Sequence, residues 1–171
     1  MRFFSVIVFA FCVFACSEQN TSSQLPTTLH NSPTRFRLSI VSFNHASQLV
    51  DGITTYVVTD SILQVKKTFP GDTTSKVVYS KPIQLNQAQM AVIDKIVSDS
   101  LDEYYTTNCV LATSGDEYDI NYQTDSRQKR IHLHHYYLQQ VDEIKQIINV
   151  HLPEKYQFQY LPKDTQQDCP L

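Results

Sequence analysis

Two histidines, His132 and His134, lie two residues apart and carry side chains suited to metal or proton chemistry. Residues at this spacing on a β-strand project from the same face of a sheet. A second alternating run, residues 118–123, would place Asp119 and Asn121 on that face if the two strands pair. Imidazole with carboxylate or amide oxygen is a ligand set for a divalent metal. The spacing permits a metal site without requiring one.

The same alternation admits two other interpretations of these residues. Asp119, Asn121, Arg130, His132 and His134 would form either a polar face that recognises a partner or an ordinary solvated face. The cationic Arg130 would repel a metal ion. We therefore assign no metal and no cofactor, and keep His132 and His134 only as weak candidates for metal ligands.

Catalytic motifs are absent from the sequence. It contains no G-x-S-x-G nucleophile motif, no Cys-His catalytic pattern and no H-E-x-x-H zinc motif. The acidic residues at 102–103 and 116–119 have the spacing of solvated loop charges, and all three glycines fall in predicted turns. The sequence favours a noncatalytic protein, and a metal-dependent hydrolase built on His132 and His134 is the alternative among enzymes.

These polar residues must be positioned by β-strands. The sequence of the N-terminal half of the domain predicts four strands. Residues 35–40 alternate between polar and apolar, which is typical of a half-buried strand. After a loop over residues 44–52, residues 53–59 and 62–69 are rich in β-branched side chains and flank Asp60-Ser61, which predicts a hairpin. Residues 76–81 form the fourth predicted strand.

Two amphipathic helices are expected to cover the sheet. Asn86 and Gln89 have the spacing of a capping box at the start of a helix over residues 87–102. Its predicted buried residues are Met90, Ile93, Val97 and Leu101. A second helix ends near Pro153, and its predicted buried residues are Leu138, Val141, Ile144, Ile148 and Leu152.

The complete order of elements predicts an α+β fold. Tyr156, Phe158 and Tyr160 alternate with glutamines and predict a last strand, giving the order ββββ-α-ββ-α-β. Such an order favours a mainly antiparallel sheet with two helices packed on one face. We expect a single domain over residues 35–162, followed by a polar tail over residues 163–171.

The N-terminus predicts an export signal. Met1 and Arg2 precede an apolar run from Phe3 to Phe14, which as a helix would reach only ~18 Å, short of a ~30 Å hydrocarbon core. Residues 13–16, Val-Phe-Ala-Cys, resemble the lipobox of bacterial lipoprotein signals. This resemblance implies that residues 1–15 are removed and that Cys16 becomes the lipidated N-terminus. Beyond this signal, the sequence resembles no characterised family.

A flexible tether is predicted between the lipid anchor and the domain. Residues 17–34 consist mostly of Ser, Thr, Asn, Gln and Pro, a composition that cannot bury enough apolar surface to fold. A flexible chain of this length has a root-mean-square reach of ~23 Å. Residues 16–34 are therefore interpreted as the lipidated cysteine and its tether.

Two cysteines remain in the mature chain, Cys109 and Cys169. In an extracytoplasmic protein they can form a disulfide. Two unpaired thiols are an equal alternative, because Cys169 lies in the polar tail.

Charge argues against a nucleic-acid partner. The full chain has a formal net charge of −3, and removal of residues 1–15 takes away one arginine and no acid, leaving −4. A mildly acidic domain has no electrostatic attraction to nucleic acid. The sequence therefore predicts a noncatalytic lipoprotein, lipid-anchored at the bacterial membrane on its extracytoplasmic side, that binds an unknown protein partner of the envelope. The alternative among binding proteins is an enzyme inhibitor or immunity-type protein that uses residues 108–117 as a wedge.

Overall fold

Within the described part of the chain, the strands pair into one seven-stranded sheet, with the order β4-β3-β2-β1-β6-β7-β5. The computed structural model describes residues 36–45, 47–107 and 115–162. The predicted signal, Cys16, the tether, Cys109 and Cys169 lie outside the described residues.

The bounds of the elements follow the chain in order. The strands are β1 Arg37–Asn44, β2 Ile53–Thr59, β3 Ile62–Thr68, β4 Lys76–Pro82, β5 Tyr104–Thr106, β6 Asp116–Gln123 and β7 Gln128–His134. The helices are α1 Gln48–Asp51, α2 Gln87–Ser98 and α3 Gln139–Asn149, and a 3₁₀ turn covers Glu154–Tyr156. Every pairing of neighbouring strands is antiparallel except that of β5 with β7. The predicted α+β class with a mainly antiparallel sheet is confirmed.

Strand register separates an apolar face from a polar one. Ile40 lies opposite Ile120, and Ile120 lies opposite Ile131, so all three side chains project from the core face. The alternate residues project from the other face. This second surface, called the polar face below, carries Val41, Glu117, Asp119, Asn121, Arg130, His132 and His134.

The core lies between the apolar face and the two longer helices. Ile93 and Ile96 of α2 are fully buried, and α3 adds three buried residues, Val141, Ile144 and Ile148. These side chains belong to the same buried cluster as Leu38, Ile40, Tyr118, Ile120, Tyr122, Ile131 and Leu133 of the sheet. The one-turn helix α1 contributes no buried residue.

The predicted start of α2 is confirmed. The Gln89 amide nitrogen donates to Asn86 Oδ1 at 2.9 Å, and the Asn86 amide nitrogen donates to Gln89 Oε1 at 3.0 Å. This reciprocal pair satisfies backbone donors that a helix N-terminus leaves without intrahelical partners. The helix ends at Ser98, earlier than predicted, because Asp99 takes an extended conformation.

Two predicted loops contain short elements. The loop expected over residues 44–52 includes α1, which ends at Asp51 and is followed by Gly52 with a positive φ of 73°. The loop expected after α2 includes β5, whose three residues pair in parallel with β7. Neither element has the length or the periodicity that would reveal it in a sequence.

The predicted last strand is wrong. Residues 157–160 are irregular, although Phe158 is fully buried and Tyr160 nearly so. The Asn149 side chain takes the place of a neighbouring strand: its Nδ2 donates to the Phe158 carbonyl at 3.0 Å, and its Oδ1 accepts from the Phe158 amide at 2.8 Å. The alternation of aromatic residues therefore reflects the burial of their side chains and not the pairing of their backbone in a sheet.

Among the described residues, no helix has both the length and the apolar character needed to cross a bilayer.

Candidate functional site

Cross-strand pairs organise the centre of the polar face. Asp119 lies opposite His132, and Asn121 lies opposite Arg130. Asp119 Oδ1 is 2.7 Å from His132 Nδ1, within hydrogen-bond distance. Because both side chains are partly exposed, at 47% for Asp119 and 28% for His132, they are accessible from solvent. The register places Asp119, Asn121, Arg130, His132 and His134 on one face of the sheet, as the alternation predicts. Their use as a recognition surface stays a prediction.

An exposed aromatic ring borders this group. Tyr104 of β5 pairs with His132 in the register, and their rings stack with centroids 4.9 Å apart and planes 6° apart. The His132 amide nitrogen donates to the Glu103 carbonyl at 2.8 Å. Tyr104 remains 60% exposed. Sequence reasoning missed this residue, because its contact depends on the parallel β5–β7 pairing.

A concavity of about 390 Å³ lies on the polar face beside this group. Val41 contributes apolar surface to it, and the buried residue Ile120 also borders it. Its other lining residues are Glu103, Asp119, Asn121, Arg130, Ile131 and His132. The concavity combines charged groups of both signs, which suits recognition of a polar surface.

His134 also projects toward the polar face, but it is only 4% exposed. Its side chain is therefore almost inaccessible to solvent, unlike that of His132. Its Nδ1 is 3.2 Å from Thr106 Oγ1, and its cross-strand neighbour is Glu117. The two histidines of the H-x-H motif thus have different partners.

His45 approaches Glu117 from the turn that follows β1. His45 Nε2 is 2.5 Å from Glu117 Oε1, and the His45 ring packs edge-on against the His134 ring with centroids 6.2 Å apart. One potential ligand atom from each of these three residues lies within 4.8 Å of the others. We call His45, Glu117 and His134 the histidine–glutamate cluster. Two imidazoles and a carboxylate can share a proton or bind a metal ion.

Backbone contacts fix the turn that carries His45. The His45 amide nitrogen donates to the Gly115 carbonyl at 3.0 Å. Asn44 Nδ2 donates to Asp116 Oδ1 at 2.8 Å, and Asn44 Oδ1 accepts from the Ser47 amide nitrogen at 3.3 Å. These bonds tie the end of β1 to the start of β6.

His135 lies beside the cluster, just beyond β7. It has a positive φ of 48°, and its Nδ1 lies 4.0 Å from Asp116 Oδ2. Gly115 lies against this ring and has a φ of +88°. A Cβ atom at this position would lie 2.9 Å from His135 Nδ1. A close approach of this kind requires glycine.

The sequence offered no local signal for the histidine–glutamate cluster. His45 and Glu117 are 72 positions apart, and each was assigned to a predicted loop. Glu117 belonged to the proposed inhibitory wedge, yet it lies in β6 with its side chain directed at His45. Residues 108–114 of that wedge lie outside the described residues.

Another cavity, of about 410 Å³, opens near the start of α1 and the C-terminal segment. It is lined by charged groups of both signs, including Asp51, Lys67, Asp116 and Lys155. One of its lining residues, Pro162, is the last residue that the structure describes. Asp116 of the predicted wedge lines this cavity, whereas none of the five residues of the predicted polar face does.

Buried tyrosines support the sheet from the core side. Burial raises the pKa of Tyr56 to about 12, so its phenol stays neutral and its Oη donates to the Gln157 carbonyl at 3.2 Å. Burial also raises the pKa of Tyr118 and of Tyr160 well above the usual range. These groups are structural and do not reach the polar face.

No protein-family model matches the sequence, and a search of curated proteins gives no significant match. The functional assignment therefore depends on the residues themselves.

Proposed function

We propose that the protein is a bacterial envelope lipoprotein that is held at the membrane by Cys16 and binds a protein partner through its polar face. The proposal includes no chemical reaction. It assigns membrane attachment to the lipid and recognition to the sheet.

The anchor is proposed from the N-terminal residues alone. A short apolar run after Arg2 and the Val-Phe-Ala-Cys sequence at 13–16 resemble a lipobox. Two or more acyl chains on Cys16 would hold the protein firmly, since each buried methylene group contributes ~0.8 kcal/mol. The predicted tether would let the domain reorient above the bilayer.

The single observation that supports the recognition surface is the exposed arrangement of Tyr104, His132 and Asp119. The ring stack and the 2.7 Å hydrogen bond hold His132 between an aromatic ring and a carboxylate. Side chains already ordered before binding lose little conformational entropy when a partner arrives. Tyrosine and arginine are also enriched among the residues that dominate binding energy, and Tyr104 and Arg130 are both exposed here.

Membrane fractionation tests the anchor. We expect the wild-type protein in the membrane fraction, with a mature mass that includes acyl chains, and the Cys16→Ala variant released from it. An acyl-free mature mass, or a membrane-bound Cys16→Ala variant, would refute lipid anchoring.

Affinity capture from detergent-solubilised envelope tests the recognition surface. We expect a partner recovered with the wild-type chain to be lost with Tyr104→Ala and retained with Val77→Ala. Val77 is a matched control because it is also exposed, at 53%, but lies on β4 at the other edge of the sheet. Equal recovery with both variants would contradict the proposed surface.

A further inference from the structure

We propose that His45, Glu117 and His134 form a binding site for one divalent transition-metal ion, with zinc as the first candidate. The site lies where the ends of β1 and β7 meet the start of β6. This inference goes beyond partner binding and does not depend on it.

The ligand set and its spacing carry the proposal. Two imidazoles and one carboxylate are a recurrent three-residue ligand set for zinc, with Zn–N and Zn–O distances of about 2.0–2.2 Å. Two such bonds at the tetrahedral angle place the ligand atoms about 3.4 Å apart. The atoms of the cluster lie within 4.8 Å of one another. Insertion of an ion would therefore lengthen the distance from His45 Nε2 to Glu117 Oε1, now 2.5 Å, by about 1 Å.

Neighbouring groups orient the proposed ligands. When Nδ1 of His134 donates to Thr106 Oγ1, which is 3.2 Å away, the neutral ring carries its lone pair on Nε2. A hydrogen bond from the second ring nitrogen is the usual means of fixing a metal-binding histidine. Phe43 packs edge-on against the His45 ring with centroids 5.3 Å apart, which limits the rotation of that ring.

Burial and charge at this position favour a bound cation. The side chains of His45 and Glu117 are 18% and 16% exposed, so an ion would be partly desolvated but reachable from solvent. Arg130 lies four residues from His134 along β7, which is roughly 13 Å on an extended strand. The repulsion expected between Arg130 and a metal held by His132 is therefore much weaker here. Asp119, two residues from Glu117 on the same face, adds negative charge.

Three protein ligands leave one position of a tetrahedral zinc ion open, and water or another donor would occupy it. That geometry is found in zinc sites that keep an exchangeable ligand. The proposal concerns binding of the ion and assigns no reaction to it.

Zinc titration of the full chain, purified in detergent, tests the site. We expect one zinc ion per chain by elemental analysis after gel filtration. Calorimetry should show affinity at least about 100-fold weaker in His45→Gln, Glu117→Gln and His134→Gln. Thr106→Val, which removes only an orienting contact, should weaken binding by about 10-fold.

His132→Gln is the matched control, because it removes a histidine from the same strand and face. We expect its zinc affinity to stay within about 2-fold of the wild type. Circular dichroism of each variant establishes that it is folded. X-ray absorption of the zinc-loaded wild type gives a readout that needs no variant, and should show nitrogen and oxygen ligands with imidazole scattering.

Four results would overturn the site. The first three are failure of the wild type to bind zinc at micromolar concentration, a zinc affinity in the three ligand variants equal to that of the wild type, and a metal environment without imidazole. Loss of affinity in His132→Gln as large as in His134→Gln would also reject the assignment.

Discussion

Asp119 and His132 face each other across β6 and β7, with Asp119 Oδ1 2.7 Å from His132 Nδ1. Both side chains are partly exposed, and exposed pairs of this kind contribute less than about 1 kcal/mol to stability. We therefore expect Asp119→Ala and His132→Ala each to lower the free energy of unfolding by less than about 1 kcal/mol in urea denaturation. A double-mutant cycle measures their coupling, and a value above about 2 kcal/mol would show that the pair is mainly structural.

Phe158 should make a large contribution to stability despite its irregular backbone. Its ring is fully buried and contacts Tyr56 and Tyr118, with ring centroids 5.0 Å and 5.9 Å away. We expect Phe158→Ala to lower the free energy of unfolding by about 3–5 kcal/mol, because it leaves a cavity. Val150→Ala is the control, since Val150 is 71% exposed and should change stability by less than about 0.5 kcal/mol. Similar losses in both variants would contradict the assignment of Phe158 to the core.

Local signals made part of this fold predictable. The hairpin around Asp60-Ser61 and the capping box of Asn86 with Gln89 each depend on residues close in sequence, and the structure has both. In residues 156–160, aromatic residues alternate with glutamines, and this pattern predicts a strand. The partner that decides their conformation is the side chain of Asn149, which periodicity does not reveal.

Stability should fall as the pH rises above about 10. An unfolded tyrosine loses its proton near pH 10, whereas burial raises the pKa of Tyr56 to about 12 in the folded chain. Between these values the unfolded state has lost a proton that the folded state keeps, so each increase in pH favours unfolding. The raised pKa values of Tyr118 and Tyr160 act in the same direction.

Urea denaturation between pH 8 and 11, with tyrosinate absorbance as a second signal, measures this dependence. We expect the buried tyrosines to ionise only as the chain unfolds, and Tyr56→Phe to reduce the slope of stability against pH. At pH 7, the change in the free energy of unfolding of Tyr56→Phe measures the contribution of the hydrogen bond from Tyr56 Oη to the Gln157 carbonyl. Full tyrosine ionisation in a chain that is still folded would contradict the prediction.

Gly115 should tolerate no side chain. It takes φ +88°, and a Cβ would lie 2.9 Å from His135 Nδ1. We expect Gly115→Ala to lower the free energy of unfolding by about 2 kcal/mol or more, since the left-handed conformation alone costs roughly 1–2 kcal/mol. Gly71→Ala isolates the contact, because Gly71 has φ +84° and no atom within 4 Å of the added Cβ. Equal effects of the two substitutions would show that the His135 contact is unimportant.

The candidate sites were predictable only where pairing was local. The turn between β6 and β7 is short, so alternation predicts that Asp119, Asn121, Arg130, His132 and His134 share one face, as the register shows. Tyr104 and His45 reach that face through β5 and through the turn after β1, which are distant in sequence. The positions of these two side chains could be predicted only from the complete order of strands in the sheet.

Site-specific photo-crosslinking in intact cells tests most directly the claim that the polar face binds a partner. A photoreactive amino acid replaces Tyr104 in the lipidated full-length chain, or Val77 as the control at the opposite edge of the sheet. The proposed function predicts a discrete crosslinked protein from position 104 that is absent from position 77 and is lost when His132→Ala is added. Identical products from both positions, or no crosslink from position 104, would contradict it.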